Sequence, residues 1–78
     1  MARIRSFSKG TQAVRVHPTL VDCYYQVVDS EGGEQLVHLS TFGSAERASG
    51  PKSSQSMQLD EAAARELVAV LRSVWPRL

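Results

Sequence analysis

The chain reads as an α+β domain, a four- to five-stranded antiparallel sheet with one C-terminal helix on one face, assembled as a dimer. Three observations carry that expectation. Residues 21–28 and 35–42 alternate apolar and polar side chains with a period of two, the mark of half-buried strands. Turn-forming residues separate the alternating runs. From Ala62 the pattern changes to a helical period and holds until Pro76.

Taken in order, Ile4–Phe7 and Ala13–Val16 flank Lys9-Gly10-Thr11 and read as a short hairpin, which His17-Pro18-Thr19 ends. The next strand, Val21–Val28, puts Val21, Cys23, Tyr25 and Val27 on one face and Asp22, Tyr24 and Gln26 on the other. Asp29-Ser30-Glu31-Gly32-Gly33 is a turn. The strand Gln35–Phe42 divides into Val37, Leu39 and Thr41 against His38, Ser40 and Phe42. Residues 43–54 form a polar loop containing Gly50-Pro51, and Gln55–Leu59 is a last short strand with Met57 and Leu59 facing inward. Asp60 is placed to cap the helix, and Asp60 and Glu61 suit its positive end. Three alanines favour helix, Arg72 lies in the last turn and Pro76 stops it. The apolar side chains from Ala63 to Trp75 fill an arc of about 160°, wider than the roughly 100° that one sheet face requires. The surplus either meets a second subunit through Leu67, Val70, Leu71, Val74 and Trp75 or sinks deeper into the chain's own sheet.

At 78 residues the chain makes one domain, 1–78, which buries only about 60–65% of its unfolded surface. Such a domain needs support. The single cysteine, Cys23, excludes an internal disulfide, and Cys23, His17 and His38 lack metal-ligand spacing. A homodimer is therefore expected, with no cofactor and no metal. No apolar run approaches the ~20 residues that cross a bilayer, and no apolar stretch follows the basic first residues. A cytoplasmic protein with a reduced thiol and no membrane partner is the expectation.

Charge supplies the pointer to function. The first 21 residues contain Arg3, Arg5, Lys9 and Arg15 and not one acid, whereas residues 22–46 contain five acids and no Lys or Arg. A three-residue hairpin loop would set Arg3, Arg5, Arg15 and His17 on one face, with Arg5 opposite Arg15. That repulsion becomes attraction if a phosphate chain lies between them. The competing view is of solvated arginines that guard a sheet edge. Tyr24 and Phe42 share the polar face with His38, and an exposed aromatic beside basic residues can stack unpaired bases. Arg47, Lys52 and the loop serines would add phosphate contacts.

Catalytic patterns fail. Gly50-Pro51-Lys52-Ser53 lacks the adjacent Gly-Lys-Ser of a phosphate-binding loop and precedes a strand. Cys23, taken as a small core residue, and His38 fall on opposite sheet faces and cannot form a nucleophilic pair. An enzyme is not expected.

The layout of strands and one final helix resembles the single-stranded-DNA-binding family of the transcriptional coactivator p15 (PC4). His38-Leu39-Ser40-Thr41-Phe42, then Gly50-Pro51-Lys52, then Met57-Gln58-Leu59-Asp60 stand where that family has a strand with an arginine and an aromatic, a basic glycine-containing loop, and a strand leading straight into the helix. Two departures are visible: Ser40 occupies the arginine position, and Lys52 lies farther from the last strand. The resemblance implies a homodimer that presents curved sheets to single strands and packs its helices at the interface. Single-stranded DNA or RNA, bound with little sequence specificity, is the expected partner. A protein–protein adaptor or an accessory subunit is the alternative, and the net charge of +1 favours it.

Overall fold

The computed structural model describes residues 1–42 and 53–78. Four strands and one helix follow in the order β1 (Ala2–Arg3), β2 (Cys23–Asp29), β3 (Gln35–Phe42), β4 (Ser53–Leu59) and α1 (Glu61–Val74). They form one sheet with strand order β1-β4-β3-β2. β2, β3 and β4 pair antiparallel, as their alternation predicts, but β1 joins β4 in parallel. The sheet is thus mixed, which corrects the expectation of an antiparallel one.

The β2–β3 hairpin is the most regular part. Cys23 to Asp29 pair in unbroken register with Thr41 to Gln35. The acidic turn closes through Ser30, whose backbone N–H donates to the Glu34 carbonyl at 2.8 Å and whose Oγ accepts from the Glu34 N–H at 3.2 Å. Gly33 sits at φ +83°, a left-handed position that a side chain strains to occupy.

The expected N-terminal hairpin does not form. Residues 4–22 contain no strand, so Arg5 does not face Arg15. Two like-charged residues opposite each other cost a few tenths to ~1 kcal/mol, and the short run Ala13–Val16 offers little apolar area in return. The chain's first residues pair with β4 instead, and the Ile4 N–H extends the ladder by donating to the Gln58 carbonyl at 2.9 Å. The last strand also starts earlier than expected, at Ser53.

β4 runs into α1 with only Asp60 between them. Asp60 is extended, and its Oδ1 accepts from the Ala63 N–H at 2.8 Å, the N-cap bond that the sequence predicts. On the exposed surface Glu61 accepts from Arg65 one turn later, and this contact raises the Arg65 pKa. The Trp75 N–H closes the last turn on Leu71, and Pro76 prevents continuation.

The core is small. Leu36, Leu59 and Ala63 are its buried apolar residues among those described, at 4%, 6% and 1% exposure. Leu59 and Ala63 flank the turn of β4 into the helix, whereas Leu36 shares the parity of His38 and lies on the other face of the sheet from Leu59. The helix meets the sheet through β4. Tyr25, Val27 and Met57 stay exposed on the apolar side of the sheet. Cys23, expected in the core, is exposed there too. Among the described residues, no helix is long and apolar enough to cross a membrane.

Replacing Asp60 with Ala should lower unfolding free energy by about 1 kcal/mol or somewhat more, because the helix loses its N-cap and Arg3 loses a nearby carboxylate. Gly33→Ala should cost about 1–2 kcal/mol through backbone strain alone, since nothing lies within 4 Å of a Cβ built there. Urea titrations followed by far-ultraviolet circular dichroism measure both. An unchanged midpoint for either variant contradicts the corresponding account.

Candidate nucleic-acid interface

Strand register brings together a polar surface that runs across all four strands. Gln26 on β2 pairs with His38 on β3, His38 with Gln58 on β4, and Gln58 with Arg3 on β1. Paired positions share a face, so these four side chains form one continuous row. With strands ~4.8 Å apart, the row is about 14 Å long. The next row on the same face is Tyr24, Ser40 and Ser56.

Two contacts hold the first row in place. The Gln58 amide nitrogen lies 3.1 Å from His38 Nδ1. At the other end the Arg3 guanidinium donates to Glu34 Oε1 at 3.1 Å and lies 3.8 Å from Asp60 Oδ2. Two carboxylates therefore offset its charge. Arg3, Ser56, His38 and Gln58 line an open cleft of about 680 Å³ together with Met1 and Ala2.

Beside this row stands an aromatic pair. The Tyr24 and Phe42 rings meet edge to face, with centroids 5.0 Å apart and an interplanar angle of 78°. That geometry contributes about 0.5–1.5 kcal/mol beyond burial and steadies both rings. Tyr24 keeps 60% of its surface exposed, whereas Ser40, flanked by Tyr24 and Ser56, is buried. The shared face of Tyr24, His38 and Phe42 agrees with the sequence pattern.

The basic residues are less concentrated than the hairpin expectation placed them. Arg5, Lys9, Arg15 and His17 are exposed on the strandless stretch 4–22. The Phe7 N–H approaches Glu66 at 3.5 Å, and Phe7 to Gly10 lie beside Val70 and Ser73 of α1, enclosing a cleft of about 480 Å³. Lys9 is thereby drawn to the helix. Arg47 and Lys52 lie outside the described residues. Sequence reading missed the part of Gln58 and counted Ser56 only among the loop hydroxyls, although the alternation Ser56-Met57-Gln58-Leu59 places both on the polar face. It also missed Glu34 and Asp60 as partners of Arg3, a contact that depends on β1 adding to β4.

Cys23 pairs with Thr41 and His38 with Gln26, so thiol and imidazole occupy opposite faces, as the alternation requires. No cluster of three or more His, Cys, Asp or Glu suited to a metal ion occurs among the described residues. Compared with protein-family models, with curated proteins and with solved structures, the chain finds no match.

Proposed function

We propose that this protein binds single-stranded nucleic acid without catalysing a reaction, taking the strand across the face that carries Tyr24 and Phe42. The observation that supports this most is the aromatic pair itself: two rings braced edge to face on a sheet face where Tyr24 is largely open to solvent. A duplex hides its base faces, whereas a single strand offers them, and each stacked base contributes about 1–3 kcal/mol. Arg5, Lys9, Arg15 and His17 on the N-terminal stretch, with Arg47 and Lys52, would supply phosphate contacts. Arg3 orders the strand edge, since Glu34 and Asp60 already engage its charge.

The active form is proposed to be a homodimer. α1 leaves Val70, Val74 and Trp75 open beside the half-buried Leu67 and Leu71, an apolar flank of the kind that a second copy would cover. The adaptor alternative rests on the exposed Tyr25, Val27 and Met57 of the opposite face, which would dock a protein through apolar contacts.

Fluorescence anisotropy with a labelled single strand and a duplex of equal length, at two salt concentrations, tests the binding mode. The single strand should bind more tightly, and Tyr24→Ala should weaken it by about 1–3 kcal/mol per stacked base. Arg5→Ala should reduce the salt slope by about 0.7. Flat titrations with both nucleic acids would leave the adaptor alternative in front. Sedimentation velocity should give twice the chain mass, and Val74→Glu should give monomers. Val74 is 60% exposed within the chain, so that change should spare the fold. Monomers in the unaltered protein at micromolar concentration would remove the dimer from the proposal.

A further inference from the structure

The sheet ends in an unguarded strand. β2 is last in the order β1-β4-β3-β2, so the backbone groups on its outer side meet no other strand. Edge strands are commonly protected by lysine, proline, a bulge or short length. β2 has seven residues without Lys or Pro, and its register with β3 is unbroken. The same chain holds a segment with strand character and no partner. Within residues 13–17, Val14 and Val16 are 78% and 94% exposed, and Arg15 and His17 make no hydrogen bond or ion pair among the described residues. We infer that residues 13–17 of one copy add as a strand to the open β2 edge of a second copy, which brings the partner's Arg15 and the partner's His17 onto the face of Tyr24. The use of those two cations rests on the single-strand reading above, whereas the pairing of the strands does not.

Arm and edge are complementary in charge. The first 21 residues carry four Lys or Arg and no acid, whereas residues 22–46 carry five acids and no Lys or Arg. Asp22, Asp29 and Glu31 are exposed and form no ion pair among the described residues, while Glu34 takes Arg3. Alternation then sets the faces. In a strand over 13–17, Val14 and Val16 share one side and Ala13, Arg15 and His17 the other, and Pro18 favours an extended His17. Valines laid beside the exposed Tyr25 and Val27 cover apolar surface on both chains. A slip of one residue would exchange the faces and set arginine there instead. The favoured register places the two cations beside Tyr24 and Gln26, on a face whose own Arg3 is held by Glu34 and Asp60. The arm also starts at the helix flank proposed for self-association, since Phe7 to Gly10 border Val70 and Ser73. Residues 18–22 return the chain to its own β2 and span about 17 Å when extended, so the exchange sets the two β2 edges about that far apart or closer.

Isotope-filtered NMR on an equal mixture of labelled and unlabelled chains tests the exchange. Nuclear Overhauser contacts should run from the amide protons of residues 13–17 in the labelled chain to Cys23–Asp29 of the unlabelled one. Contacts between these segments confined to one chain, or an arm without contacts to β2, overturn the exchange and leave single-strand binding standing. Val14→Pro changes no charge but denies the arm a regular ladder. Val14 is exposed and belongs to no strand of its own chain, so the variant should keep the fold. It should abolish the interchain contacts and weaken binding of a single-stranded oligonucleotide at least about threefold in anisotropy. Interchain contacts in the unaltered protein, with single-strand affinity unchanged in Val14→Pro, overturn the arm's part in the site. Interchain contacts in a protein that binds no single strand support the exchange and overturn the nucleic-acid reading. The mixture of unaltered chains decides on the exchange even if Val14→Pro fails to fold.

Discussion

The junction between β4 and α1 holds the rest of the structure in place. Among the described residues, β4 lies between β3 and β1 in the sheet and also meets the helix, into which it passes through Asp60 alone. One Asp60 oxygen accepts the Ala63 N–H and starts the helix, while the other lies within reach of Arg3 on the edge strand. Leu59 and Ala63, two of the buried apolar residues, flank this same place. An unsatisfied helix start beside a small core would expose backbone donors where few other contacts compensate. The cap therefore matters more here than it would in a domain with a large core.

That economy explains the uneven distribution of surface. A sheet of four strands and a helix of 14 residues have ample apolar side chains to cover one another, but many of these side chains stay exposed. The apolar sheet face with Tyr25 and Val27, and the helix flank with Val74 and Trp75, both stay open. The polar face is better covered, with Ser40 and Leu36 buried on it and His38, Ser56 and Gln58 half-buried, and it is organised differently. Its side chains are tied to one another, Gln58 to His38, Arg3 to Glu34 and Tyr24 to Phe42. A surface whose groups are already oriented loses less entropy when a ligand arrives. The proposed binding role is assigned to that ordered face, and self-association to the apolar flank of the helix.

Local features were largely legible. Period-two alternation marked the three antiparallel strands and correctly placed Tyr24, His38 and Phe42 on one face, because side chains on a strand point to alternate sides whatever the strand pairs with. Asp29 to Gly33 marked the turn, and Asp60 and Pro76 marked the two ends of the helix. The candidate surface was only half legible. Its aromatics and His38 could be read from parity, but the row through Gln58 to Arg3 could not, since it needs the first residues of the chain to lie beside the last strand.

The sequence by itself determined the α+β class, the order of the main elements, the turn and cap chemistry, and the division of β2 and β3 into apolar and polar faces. All of these depend on residues a few positions apart. Tertiary structure alone decided that Ala2 and Arg3 add in parallel to β4 rather than fold back as a hairpin, and that Arg3 is engaged by Glu34 and Asp60. It also decided that Cys23 is exposed and that the helix covers so little of the sheet. These outcomes come from competition among distant segments for one strand edge and one small core. No local pattern encodes which segment wins.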